Sequence, residues 1–176
     1  MPGLTLRQEI VVEFFPFMSL STEERFLVEE AVKARVNAQA PYSRFKVGAA
    51  LWSTQGDLFG GCNVERADYS GTSHAEQAAI DAMVFAGDRQ IKVIALAAAH
   101  EDIVFDLTGR LFRIPEGLTI RSMVPPCGGC LQKIWENCHG DLGVIILSVM
   151  PEGGVFRTTI GDTFPAHFDL SGVYGG

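Results

Sequence analysis

The stretch SGTSHAEQAAIDAM, residues 70–83, sets His74 two positions before Glu76, where a polar loop gives way to an alanine-rich, helix-forming run. A histidine there could be a helix cap, and a glutamate in a first turn suits the positive helix end. Further along, VPPCGGCLQKI places Cys127 and Cys130 two residues apart at the predicted start of another helix. Unpaired N–H groups and the dipole at such a position lower thiol pKa values and favour thiolates, the form that ligates zinc. A CxxC pair alone is half of a closed tetrahedral site, and by itself is equally consistent with redox chemistry or structural zinc. With His74 as third ligand the set becomes His-Cys-Cys with one position open to water, the arrangement of a catalytic zinc. Glu76 then has a task. Zinc lowers the pKa of water from about 15.7 to about 7, and a neighbouring carboxylate can accept the water's proton and pass protons onward.

The flanking sequence must position these groups. SLSTEERFLVEEAVKARVNAQ predicts a helix, with Ser21 and Glu24 as a capping box, apolar Phe26, Val28, Ala31, Val32 and Val36 at three- and four-residue steps, and Pro41 as its stop. FKVGAALWS and DLFGGCNVE read as a hairpin turning at TQG. A helix then runs from about His74 to Ala86, with Gly87 at its end. IKVIALAAA and LGVIILSVM are apolar runs of the kind buried on both faces of a sheet. Between these two strands PPCGGCLQKIWEN forms a helix with Pro126 at its start. The tail GGVFRTTIGDTFPAHFDLSG holds one short strand and then loop. Residues 1–20 read as an irregular N-terminal extension. Residues 100–122 are an insertion without assignable pattern, able to form a hairpin, cover a pocket or pack at an interface. The order of elements implies one α/β domain over residues 1–176, three α/β/α layers around a mixed central sheet.

Size and charge narrow the function classes. The 176 residues fit one domain with a core of useful size. A formal charge of −7 argues against a surface that grips a phosphate backbone, so nucleic acid is not an expected partner. No apolar run reaches the roughly 18 residues of a membrane helix, and Glu9, Glu13 and Pro16 interrupt any signal-peptide core. The expectation is a soluble, cytoplasmic protein acting on a small molecule, in which four cysteines indicate thiol or metal chemistry rather than disulfides. Cys62, inside a strand, reads as a small buried hydrophobe. Cys138 and His139 have no further ligand cluster nearby. His100 and His167 read as isolated and exposed, and Trp135 as core.

His-x-Glu followed by Pro-Cys-x-x-Cys is a signature of zinc-dependent nucleobase deaminases. More broadly, the chain resembles the cytidine deaminase family from about residue 22 to 172. APYSRFKVGAALWS, GCNVERADYSGTSHAEQAAI and PPCGGCLQKIWE look like its three signature blocks, and TIGDTFPAHFDL like its C-terminal segment. The resemblance implies a cytidine-deaminase-like fold, zinc on His74, Cys127 and Cys130, and Glu76 as proton shuttle. It implies that Asn63 and Glu65 bind the ribose hydroxyls, that Phe45 lies against the pyrimidine and that the N–H of Ala75 meets the base carbonyl. The implied reaction is hydrolytic deamination of cytidine or deoxycytidine at C4, a step of pyrimidine salvage, in a homodimer or homotetramer where Tyr69 and Phe168 could reach a neighbouring site. On their own chemistry, Asn63 and Glu65 could equally be a polar strand end, and Phe45 a core aromatic. Many short members carry cysteine and arginine where this chain has His74 and Gln77; one neutral imidazole with two thiolates leaves Zn²⁺ formally neutral, so no arginine is needed. The rival readings are a deaminase of a modified cytosine nucleoside, of the blasticidin type, and a zinc-bearing homologue without catalysis. A deoxycytidylate deaminase would need a phosphate site, and no cationic cluster beyond Arg44 and Arg66 lies near the motifs.

Overall fold

A computed structural model describes residue 5 and residues 7–68, 70–110 and 112–168. Among the described residues ten strands and α-helices follow in order: β1 (Glu13–Pro16), α1 (Thr22–Val36), β2 (Phe45–Ser53), β3 (Leu58–Cys62), α2 (Ala75–Phe85), β4 (Ile91–His100), α3 (Gly128–Glu136), β5 (Ile145–Val149), β6 (Gly154–Thr159) and α4 (Ile160–Thr163). The strands form one sheet in the order β1-β6-β5-β4-β2-β3. Only β4 and β5 run parallel, joined across α3; the other neighbours are antiparallel, so the sheet is mixed, as the order of elements implied.

Alternation along the strands divides the core into two halves. Ala49, Leu51, Ile94, Leu96 and Ile146 pack with Ala79, Ile80 and Met83 of α2 and Leu131 and Ile134 of α3. Ala50, Ala95, Ala97, Leu147 and Val149 pack with Leu27, Val28 and Ala31 of α1. Two glycines set how closely the helices lie. A Cβ on Gly48 would fall 2.1 Å from the Ala31 carbonyl oxygen, and one on Gly61 would fall 2.3 Å from that of Ala75. The second approach presses the N-terminus of α2 onto β3. At α1 the expected capping box is formed, Ser21 Oγ accepting from the Glu24 N–H while the Glu24 carboxylate accepts from the Ser21 N–H. No helix among the described residues is long and apolar enough to cross a membrane.

Several local expectations change. α1 ends at Val36, capped by Asn37, well before Pro41. α3 begins at Gly128, with extended Cys127 as its N-cap, so Pro126 stands outside the helix rather than at its start. The tail adds a short α4 after β6. The supposedly irregular start contains β1, which pairs with β6 from Glu13↔Arg157 to Pro16↔Gly154. Four residues ending in proline give little periodic signal, and an edge position is where a sheet tolerates proline. Beyond His100, which ends β4, the 100–122 insertion contains no strand among its described residues; its one helical turn there is a 3-10 turn at Ile120–Ser122. It lies against the α1 side of the sheet: Phe105 and Leu107 join that core half, the Arg35 guanidinium sits 5.1 Å over the Phe105 ring, and Phe112 stacks on Phe14 at 6.0 Å.

Candidate active site

Two helix starts meet at one cavity. His74 is the N-cap of α2 and Cys127 the N-cap of α3, and neither side chain is used for capping, so both are free to turn outward from their helices. Cys127 Sγ lies 3.5 Å from His74 Nδ1 and 3.6 Å from Cys130 Sγ. Tetrahedral zinc with Zn–S near 2.3 Å and Zn–N near 2.0–2.1 Å requires S···S of about 3.8 Å and S···N of about 3.6 Å. The three donors therefore already stand at ligand spacing, and among the described residues no other group of three or more potential metal ligands is found. The four cysteines are all free thiols. Cys138 packs in the core, and His139 follows α3 with a left-handed φ of 51°, with no third ligand beside them.

Glu76, the second residue of α2, is 5 % exposed. Burial pushes its carboxyl pKa up; its own backbone N–H and the imidazole of His74 pull the other way. Burial, with Glu76 and Cys127 beside it, also pushes the Cys130 thiol up. Burial opposes the charged forms here, so thiolates and a carboxylate can share this site only beside a divalent cation, and the helix start by itself does not hold Cys130 as a thiolate. No lysine or arginine is among the described residues lining the cavity to serve instead. Gln77 turns toward Gly129, whose Cβ position would lie 3.9 Å from its amide nitrogen. The donor set fits zinc.

The cavity has a volume of about 270 Å³, the scale of one small ligand. Its far wall comes from the segment after β3. Val64 exchanges two backbone hydrogen bonds with Ser73, both 3.0 Å, and Glu65 N–H donates to the Gln39 carbonyl while Gln39 N–H donates to that of Asn63. This pairing pins residues 63–65 one position from His74. Asn63 is buried; its side-chain oxygen accepts from Val47 N–H at 2.8 Å and its amide donates to the Phe45 carbonyl at 3.0 Å. Asn63 thus completes the β2–β3 ladder beyond its end, which leaves one amide N–H and one oxygen lone pair for a ligand. The Glu65 carboxylate accepts from the N–H groups of Tyr42 and Ser43 and from the Ser43 hydroxyl, which together hold its pKa down. Phe45 lines the cavity with two-fifths of its surface exposed, and Ala75 lies fully buried at the first turn of α2.

Residues 21–145 match the model of the cytidine and deoxycytidylate deaminase zinc-binding region. The chain belongs to that family. It is 35% identical over 148 residues to a cytidine deaminase of Sporosarcina psychrophila, covering 82% of this chain and 93% of that protein. A cytidine deaminase of Halalkalibacterium halodurans is 32% identical over 146 residues, 83% of this chain and 94% of the relative. Among solved structures, the cytidine deaminase of Burkholderia pseudomallei superposes with a TM-score of 0.65 at 32% identity, covering 85% of this chain and all of the other.

Within the family's zinc-binding region, seven of the eight residues singled out from sequence line the cavity, and the eighth, Cys130, lies buried 3.6 Å from Cys127 in the ligand group. The structure adds Ser43, Thr72, Leu96, Ala98, Val124 and Pro125 as lining. Ser43 stands in a quoted signature block, but its bond to Glu65 spans the whole hairpin and has no local signal. Tyr69 lies outside the described residues. Phe168 is exposed, with its backbone N–H and carbonyl both bonded to the Gln132 side-chain amide. Three expectations are corrected. Cys62 is half-buried at the end of β3. His167 is not isolated, because it stacks on Trp135 at 4.0 Å. His100 is half-buried, with Nδ1 3.2 Å from an Asp102 oxygen.

Proposed function

We propose that this chain catalyses the hydrolytic deamination of cytidine and deoxycytidine to uridine and deoxyuridine, serving pyrimidine salvage in the cytoplasm. One observation carries the reading: a buried carboxyl, Glu76, stands beside a His-Cys-Cys group at zinc-ligand spacing on a cavity of nucleoside scale. The names of the relatives support cytidine over a modified nucleoside, and the presence of Glu76 argues against a silent homologue.

His74, Cys127 and Cys130 would hold the metal. Zinc bound there supplies the Lewis acidity that makes water a nucleophile at neutral pH. The chain does the rest. Phe45, Val47, Leu96 and Ala98 form apolar walls for the pyrimidine. Ala75 N–H, in the helical first turn and so without an intrahelical acceptor, donates to the base carbonyl. Asn63 and Glu65 take the ribose hydroxyls. Glu76 accepts the proton of the attacking water and gives it to N3. It then carries a second proton from the new C4 hydroxyl to the amine, the C–N bond breaks, ammonia leaves and C4 becomes a carbonyl.

The nucleoside is favoured over the nucleotide. No lysine or arginine is among the described residues lining the cavity, and the two nearby arginines are engaged, Arg44 by Glu101 and Asp102 and Arg66 by Asp68 at 2.9 Å. We read residues 1–176 as one deaminase domain acting as a homodimer or homotetramer; exposed Tyr42, Phe45 and Val124 around the cavity mouth are apolar surface of the kind that subunit contacts cover.

The test is ammonia release by the zinc-loaded protein from cytidine, deoxycytidine, cytosine, dCMP and adenosine. Turnover of the two nucleosides alone is expected. Silence on both, or faster release from dCMP, overturns the reading.

A further inference from the structure

The loop before β2 carries an unusual residue. Arg44 holds a left-handed backbone, φ 58°, between two residues that line the cavity, Ser43 and Phe45. Non-glycine residues adopt that region only when their surroundings impose it. Here the surroundings are the first residues of the 100–122 insertion. The Arg44 carbonyl accepts from Glu101 N–H at 2.7 Å, and Arg44 N–H donates to the Ala40 carbonyl at 3.0 Å. Its guanidinium meets the Glu101 carboxylate through Nε and reaches Asp102 at 3.5 Å through Nη2. On the other side of Arg44, the Ser43 hydroxyl accepts from Phe45 N–H at 3.0 Å and donates to Glu65, whose carboxylate is also held by the Tyr42 and Ser43 N–H groups. No described residue of 100–122 lines the cavity.

We infer that Glu101, supported by Asp102, is a positioning residue for the nucleoside's sugar. By latching Arg44 in its left-handed conformation it sets Ser43, and Ser43 sets the carboxylate of Glu65. The insertion thus tunes sugar recognition from outside the cavity. The inference rests on the nucleoside reading above and deepens it. Because the Arg44–Glu101 pair is half open to solvent, its hold weakens with salt.

The test is steady-state kinetics on cytidine with Glu101→Gln, Arg44→Gln, the double variant and Arg44→Lys, each at low and high ionic strength. Glu101→Gln and Arg44→Gln should each raise KM by about three- to fivefold, the upper end for an exposed ion pair, with kcat nearly unchanged. The double variant should be no worse than either single one. Arg44→Lys should recover part of the loss, and added salt should raise KM in the unchanged protein more than in Glu101→Gln. Turnover with KM indifferent to both changes, additive losses in the double variant, or an effect confined to kcat overturns the latch alone. Absence of cytidine turnover in the unchanged zinc-loaded protein overturns the nucleoside reading, and the latch with it.

Discussion

Replacing Glu76 by Gln keeps the side chain's size and removes its ability to move protons. General acid–base catalysis contributes about 10²–10⁴-fold to rate. Two features of the site put the expected loss at the upper end. Glu76 would act at two separate proton transfers, and the other carboxylate on the cavity, Glu65, is engaged by Tyr42 and Ser43 and cannot stand in. A kcat decrease of about 10⁴, equivalent to roughly 5.5 kcal/mol in the barrier, is therefore expected. Zinc should stay bound, because the three ligands are at their spacing without Glu76. The assay pairs ammonia release from cytidine with metal content by atomic emission on the same preparation. A variant that keeps a tenth of the parent kcat, or one that loses its zinc, refutes the shuttle role as argued.

Cys127→Ser and His74→Ala each remove one ligand from a set of three and should leave less than stoichiometric zinc after dialysis, with activity falling in proportion to metal content. Gly61→Ala places a Cβ 2.3 Å from a backbone oxygen of α2, so a stability loss of about 1–3 kcal/mol is expected, seen as a lower melting temperature. The Glu65 carboxyl is held below its ordinary pKa, chiefly by the Ser43 hydroxyl, so its contribution to stability is present above the unfolded value near 4.3 and is lost as pH falls through the lower folded value. Denaturant melts of the parent and of Glu65→Gln should accordingly differ most near neutral pH and converge in acid; a gap that widens in acid contradicts the assigned hydrogen bonds.

How far the sequence disclosed the molecule depended on the range of each signal. The capping box of α1 and the hairpin at TQG are local, and both form as the residues suggest. His74, Glu76, Cys127 and Cys130 announced themselves because metal and proton chemistry demand rare residue types at fixed spacing. β1 was hidden because four residues carry too little periodicity and their register is supplied by β6 far along the chain. The insertion was unreadable for a similar reason: Phe105 packs under Arg35 of α1 and Phe112 stacks on Phe14 of β1, partners far away along the chain. Asn63 shows a different gap. Its ladder-completing bonds to β2 follow from strand register, which no composition rule reveals.

The pairing of β1 with β6 also orders events in time. Val11, just ahead of β1, accepts through its carbonyl from the Thr158 hydroxyl, a contact across 147 positions. Residues 13–16 therefore leave the ribosome long before their ladder partners exist. Meanwhile Phe14 and Phe15 have no sheet to join, and when β6 emerges it presents an open edge until the early segment returns to it. Closing so long a loop carries an entropic cost that the local pairings of the sheet do not. Until the N-terminal arm pairs, this edge is the place where a chaperone or a second nascent copy can compete for the sheet.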